Sequence, residues 1–277
     1  MKRIIVPIDF SEQSEYALKT AARLAKKHDA EILVLHMLEI DNLALTASAS
    51  RLGEQTVYFL KIAEQRFEKF LNKPYLKDVK ITPIIKHFKV FSEVNDVAKE
   101  READIIIMGS HGTSGVQEMF IGSNTEKVVR NSEIPVLVVK NNIPDINFEV
   151  IVLACDFSKE SMAPYINTVK MFEKIVSKIY VVHVNLPNEK FRSSVELEKR
   201  AVDFFNKADG HLKRMEDVHY VADYTVDEGI LSFSNKYGAD LIVMPTHGRK
   251  GLAHFFQGSV SEDVVNHSTL PVLTLKI

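Results

Sequence analysis

Residues 103–140 and 239–276 of this 277-residue chain align without a gap at an offset of 136, with 18 identities over 38 positions. The fronts of the two halves match as well. RIIVPIDFS around Asp9 resembles VIVLACDFS around Asp156 at an offset of 147, and Leu35-His36 keeps that offset from Val182-His183. The lag falls by 11 between front and back, so the second copy is shorter by 11 residues in its middle. A unit of this length is a duplicated domain rather than a solenoid repeat. The polar stretch 141–147, NNIPDIN, marks the junction. Two domains are therefore expected, at 1–142 and 148–277, each of ordinary domain size.

Within the first copy, Arg3–Ile8 is a short isoleucine- and valine-rich run, continuous rather than alternating, as suits a strand buried on both faces of a parallel sheet. Ser11 is placed to cap a helix whose apolar stripe (Tyr16, Leu18, Ala21, Ala22, Leu24, Ala25) runs through about Lys27. Glu31–Leu38 reads as a second buried strand. Residues 48–71 repeat apolar side chains at Val57, Leu60, Ala63, Phe67 and Phe70, which is helical spacing. Strand at 80–87, helix at 93–102, strand at 105–108, helix at 123–131 and strand at 136–139 complete the copy. Strict β-α alternation predicts a doubly wound parallel sheet with right-handed crossovers. Ligands of such sheets lie outside the carboxyl ends of the strands, which directs attention to residues 7–10, 36–38 and 109–125.

Composition sets outer limits. Apolar residues make up 45% and charged residues 26%, with a net charge of −2, which is the profile of a globular chain with a packed core. Nothing here has the clustered basic surface of a nucleic-acid binder. No apolar run approaches the roughly 20 residues of a membrane helix, and the lone Cys155 excludes an intrachain disulfide or a multi-cysteine metal site. These features together read as a soluble cytoplasmic protein with no nucleic-acid or membrane partner.

The segment after the fourth expected strand carries the clearest chemical signal. Gly109-Ser-His-Gly112 is followed, nine residues on, by Gly122-Ser123-Asn124-Thr125 opening a helix. Glycines let backbone approach a ligand closely, and successive N–H groups can form an anion nest. With Ser123 at the N-cap, its hydroxyl and the free N–H groups of the first turn would converge on one point, aided by the helix dipole. The loop is neither a Walker A motif nor a dinucleotide fingerprint. By spacing alone, a phosphate cradle and a plain turn both stand. Asp9, at the end of the first strand, could accept a ribose hydroxyl, help hold a phosphate-bound metal, or simply cap the next helix.

At these residues the chain resembles the universal stress protein family, whose nucleotide-binding members carry Gly-x2-Gly-x9-Gly-Ser/Thr. Gly109, Gly112, Gly122 and Ser123 fit that pattern, and PIDFS, His36-Met37 and IPVLVV fit its surroundings. The resemblance covers both copies. It implies two tandem five-stranded, Rossmann-like sheets of the adenine nucleotide alpha hydrolase type, each ordered 3-2-1-4-5. It also implies ATP, with Mg or Mn, across the strand ends. Pro7, Asp9 and Met37 would line the adenosine, and Gly109 and Gly112 would approach ribose and phosphates. Gly122, Ser123, Asn124 and Thr125 would hold the phosphate tail; Asn124 stands where valine is common, and its backbone N–H serves equally well. Last strands in this family pair between subunits, a pairing that a tandem chain can satisfy internally as a pseudo-dimer, with or without a further homodimer.

The second copy departs from the pattern. Pro245 replaces Gly109, Ala154 replaces Pro7 and Val184 replaces Met37, while Asp156, Gly248, Gly258 and Ser259 remain and Arg249 and Lys250 are gained. Proline has no N–H and a fixed φ, so this copy is expected to be a structural partner without a nucleotide. His36, His183, His111 and His247 recur by duplication without ligand spacing, and Cys155 reads as a buried, inert thiol. No Ser-His-Asp order, carboxylate pair or activated nucleophile is evident. The expected role is an ATP-binding module or switch in stress response with an unknown protein partner, not a dedicated enzyme, slow hydrolysis being left open. The competing expectation is an interaction scaffold of the same fold that binds no nucleotide. A nucleotidyl transferase would need a His-x-Gly-His signature after the first strand, which PIDFS lacks.

Overall fold

The computed structural model describes residues 1–38, 49–87, 93–110, 122–142, 148–173, 176–246 and 260–277. The first copy runs β1 (Arg3–Ile8), α1 (Glu12–His28), β2 (Glu31–Leu38), α2 (Ala49–Leu71), β3 (Ile81–His87), α3 (Val94–Glu100), β4 (Ile105–Gly109), α4 (Ser123–Asn131) and β5 (Val136–Val139). The second runs β6 (Val150–Ala154), α5 (Met162–Phe172), β7 (Lys178–Asn185), α6 (Ser194–Ala208), β8 (Val218–Ala222), α7 (Val226–Lys236), β9 (Leu241–Thr246), α8 (Val260–His267) and β10 (Val272–Lys276).

Local chemistry explains the boundaries. Ser11 caps α1, its hydroxyl accepting from the Ser14 N–H, and Asp29 in the left-handed region (φ 52) ends the helix. A full capping box, Ser193 with Glu196, opens α6. The third helix is shorter than its periodicity suggests, because Glu102 turns into the left-handed region at φ 50.

Both copies take the strand order 3-2-1-4-5, and the two sheets are one. The order across it is β3-β2-β1-β4-β5-β10-β9-β6-β7-β8. All pairings are parallel except the central one, where β5 and β10 run antiparallel with Val138, Leu137 and Val136 opposite Val272, Leu273 and Thr274. At the offset of 136, Leu137 and Leu273 are equivalent residues, so a pseudo-dyad passes between them. The Lys140 ammonium also crosses the divide to the Asn266 carbonyl, 2.5 Å away, at the end of α8, and Arg130 of α4 meets Glu262 of α8 at 3.0 Å. Two apolar layers, one on each face of the sheet, run through both halves. Ile4, Val6 and Ile8 enter one and Ile5, Leu35 and Met37 the other, as strand alternation requires.

Candidate functional site

The carboxyl end of β1 is a tightly braced turn. The Asp9 Oδ1 accepts from the Ser11 N–H (3.0 Å) and the Ser14 hydroxyl (2.5 Å), while the Asp9 N–H donates to the Ser14 Oγ (3.1 Å). Burial opposes ionisation of this carboxyl, but the hydrogen bonds from Ser11 and Ser14 together outweigh it and hold its pKa below the usual carboxylate value. The second carboxylate oxygen has no hydrogen-bond partner among the described residues. Phe10 adopts φ 66, uncommon for an aromatic residue. The bend carries its ring to within 4.5 Å of the His36 ring centroid and 5.4 and 5.6 Å of those of Phe67 and Phe70. The His36 Nδ1–H donates to the Ile8 carbonyl (2.9 Å), and burial lowers its pKa, which keeps it neutral. Arg66 lies 5.8 Å above the Phe10 ring. Pro7 and Met37 are buried at the ends of β1 and β2.

The end of β4 meets this turn through α1. A Cβ placed on Gly109 would lie 2.1 Å from the Gln13 carbonyl oxygen and 2.3 Å from its carbon, so only glycine leaves room for the first turn of α1. The need is close approach by the chain itself, since Gly109 has no positive φ. The Gly109 carbonyl accepts the buried Thr125 hydroxyl (3.2 Å), which ties the opening of α4 to β4. Asp9, Gly109 and Thr125 are thus joined through α1.

Gly122, not Ser123, is the N-cap of α4, and it offers no side-chain cap. The correction moves Ser123 to the first helical position. Glu126 is the first residue whose N–H bonds within the helix, to the Gly122 carbonyl at 3.1 Å, so the N–H groups of Ser123, Asn124 and Thr125 have no intrahelical acceptor. Ser110, which follows Gly109, is 1% exposed and its hydroxyl has no hydrogen-bond partner among the described residues. Gly112 lies outside the described residues, as do His111, His247, Gly248, Arg249, Lys250, Gly258 and Ser259.

The second copy reproduces the β1 turn and alters what surrounds it. Asp156 accepts from the Ser158 N–H (2.9 Å) and the Ser161 hydroxyl (2.6 Å), Phe157 takes φ 55, and the His183 Nδ1–H donates to the Cys155 carbonyl (3.0 Å). Yet α5 begins at Met162, three residues later than its counterpart α1. Pro245 places a ring where Gly109 admits that missing turn. On the other side a Cβ at Gly229 would lie 2.8 Å from Val184, the counterpart of Met37, so the first turn of α7 presses on the end of β7. Burial raises the Cys155 thiol to about 12 and makes it inert.

Sequence reasoning missed the serine brace, the left-handed phenylalanine and the contact between Gln13 and Gly109. The repeated string Asp-Phe-Ser-x-x-Ser, at 9–14 and 156–161, carried the first two. Among the described residues, no group of three or more His, Cys, Asp or Glu is placed to hold a metal ion, and no helix is long and apolar enough to cross a membrane.

A family model described as Universal stress protein family matches residues 1–140 and again 147–276. Two universal stress proteins of Methanocaldococcus jannaschii are 35% identical over 153 residues and 30% identical over 146, each match covering 50% of this chain and respectively 94% and 82% of the relative. One from Bacillus subtilis is 32% identical over 150 residues, covering 50% of this chain and 98% of its own. Over the whole length, the crystal structure of a universal stress protein from Archaeoglobus fulgidus superposes with a TM-score of 0.68 at 23% identity, covering 99% of this chain and 98% of that one. A putative universal stress protein from Pseudomonas aeruginosa gives 0.67 at 16% identity, covering 100% of this chain and 93% of that one. These two likenesses concern the fold.

Proposed function

The chain belongs to the universal stress protein family, two copies in tandem, and from that premise we propose that its first domain, residues 1–142, binds ATP with Mg or Mn. The reading makes the protein a cytoplasmic binding module or switch in stress response. The second domain, residues 148–277, is its degenerate structural partner. One observation carries this reading: three N–H groups without intrahelical acceptors open α4, whose Thr125 hydroxyl bonds to the Gly109 carbonyl next to the buried Ser110, itself without a hydrogen-bond partner among the described residues, while the braced Asp9 carboxylate ends the neighbouring strand β1. A phosphate at a helix N-terminus meets donors and a favourable dipole, and the Asp9 oxygen without a partner among the described residues would accept a ribose hydroxyl or meet a cation. The Gly112 and Ser123 spacing supports the same assignment. Pro7 and Met37 supply apolar surface for adenine. The reading is of binding rather than dedicated catalysis, with slow hydrolysis left open.

Isothermal titration with Mg-ATP is the test. One equivalent should bind per chain, weakened by Gly112→Val and Ser123→Ala and unchanged by Ser259→Ala. No saturable heat at millimolar ATP overturns the proposal. A scaffold without nucleotide is the second reading. It draws on the fact that one oxygen of Asp9 and the Thr125 hydroxyl are already committed to internal hydrogen bonds, and it expects the same substitutions to change stability alone.

A further inference from the structure

The two copies differ in charge at the ends of their inner strands. Ser110 stands opposite Lys140 where the β4–β5 ladder ends. Gly109 pairs with Val139, and the Ser110 N–H donates to the Val139 carbonyl at 3.0 Å. Side chains alternate along a strand, so both residues lie on the face where Met108 and Val138 pack with Val128 of α4 and Val264 of α8. The first turn of α4 is held to the same place by the bond from Thr125 to Gly109.

Lys140 is only 6% exposed. An ammonium has three donors. One goes to the Asn266 carbonyl, and the other two have no partner among the described residues, as the buried Ser110 hydroxyl has none. Burial alone lowers the Lys140 pKa from 10.5 to about 8, so no described carboxylate offsets its charge. Of the charged groups on the two helices above it, Glu126 and Glu262 meet Arg130, Asp263 and His267 lie by Asp227, and Lys127 is exposed. The equivalent pair in the second copy is Thr246 and Lys276, opposite one another in β9 and β10. There the hydroxyl donates to the Leu275 carbonyl (3.5 Å) and the lysine is half-buried. A buried cation and a buried hydroxyl left without acceptors thus occur together only in the copy that keeps the glycine motif. A buried charge without a counterion is costly, and an anion bound between the two groups would remove that cost.

We propose, resting on the nucleotide reading of the same cleft, that Lys140 and Ser110 hold the terminal phosphates, which makes the first domain selective for a nucleoside triphosphate over a monophosphate. The strand order supplies the direction. With adenine on Pro7 and Met37, at the ends of β1 and β2, the phosphate chain runs past β4 towards β5, and Lys140 is the cation at that far end. Hydrogen bonds from an ammonium to a phosphate are strong, and more so away from water. The ammonium keeps its bond to Asn266, so a bound phosphate and α8 of the second copy share one cation.

Isothermal titration of the full chain with Mg-ATP and with AMP tests this. Lys140→Met removes the buried charge while keeping the space filled, and should weaken Mg-ATP about tenfold or more. Ser110→Ala should weaken it about fivefold, and neither should change AMP by more than about twofold. Lys276→Met is the control and should bind as the wild type does. A phosphate beside Lys140 raises its pKa, so Mg-ATP binding at pH 8 should take up about half a proton. That uptake is read from the dependence of the heat on the ionisation enthalpy of the buffer, and Lys140→Met should lose it. Circular dichroism checks folding; if Lys140→Met fails to fold, Ser110→Ala and the wild-type proton uptake decide. Equal Mg-ATP affinity in wild type and Lys140→Met overturns this inference and leaves the nucleotide reading standing. An equal loss for AMP overturns the selectivity, and a wild type that binds no Mg-ATP overturns both readings.

Discussion

Gln13 lies with its carbonyl oxygen directly over Gly109, where a single added carbon would sit 2.1 Å away. That contact lets the first turn of α1 rest on the end of β4, and it sets the geometry of every group gathered there. In the second copy Pro245 holds the same place and the helix starts later. Gly109→Ala is therefore expected to destabilise the protein by about 2 kcal/mol or more, the scale of overpacking at a site bounded by backbone. Ala at 245 should be tolerated. Paired urea melts of the two variants decide it.

The braced aspartates make acid stability specific. Folding lowers the pKa of Asp9 and Asp156 beneath the ordinary value of 3.8. Below 3.8 the unfolded chain thus binds more protons than the folded one, and stability falls with pH through that window. Above it the contribution is fully present. Asp9→Asn and Asp156→Asn should flatten the acid limb of a stability-against-pH curve; an unchanged limb in the double variant would contradict the assignment.

Lys140 gives a slope of the same sign in the alkaline range, here because burial penalises its charged form. Burial beside the Asn266 carbonyl lowers its pKa from 10.5 to about 8. Between those values the unfolded chain carries the extra proton, so stability should rise with pH from about 8 to 10.5 through this group. In Lys140→Met that increment disappears, and the stability of the variant relative to wild type should decline across the same window. Chemical melts at several alkaline pH values would show it.

Cys155, 6% exposed with its thiol raised to about 12, should resist a thiol-reactive disulfide reagent in the native protein. It should react in urea. Rapid native labelling would mean that the end of β6 opens far more readily than its packing implies.

Much of the fold was legible in the residues. Continuous isoleucine and valine runs marked parallel strands such as Arg3–Ile8, and the offset of 136 fixed which strands correspond. The details that escaped are tertiary. Nothing in the order Gly122-Ser123 says which residue caps α4, since both types serve as caps; the first bonded amide, that of Glu126, decides it. An aromatic residue at positive φ runs against local preference, and Phe10 takes it because Phe67, Phe70 and His36 reward the bend. Gly109 looked like a residue kept bare for a ligand. It is bare because α1 already occupies the space. Only the pairing register reveals that two sheets become one.

The dyad between Leu137 and Leu273 has a thermodynamic consequence. Subunits that meet through such a strand pair hold together only as well as their concentration allows. Here one polypeptide carries both sides, so the encounter is intramolecular and the local concentration is set by the tether. Dilution cannot part the halves. The second half keeps its strand in place whatever becomes of its own cleft, and Pro245 could arise there without loosening the support of the first.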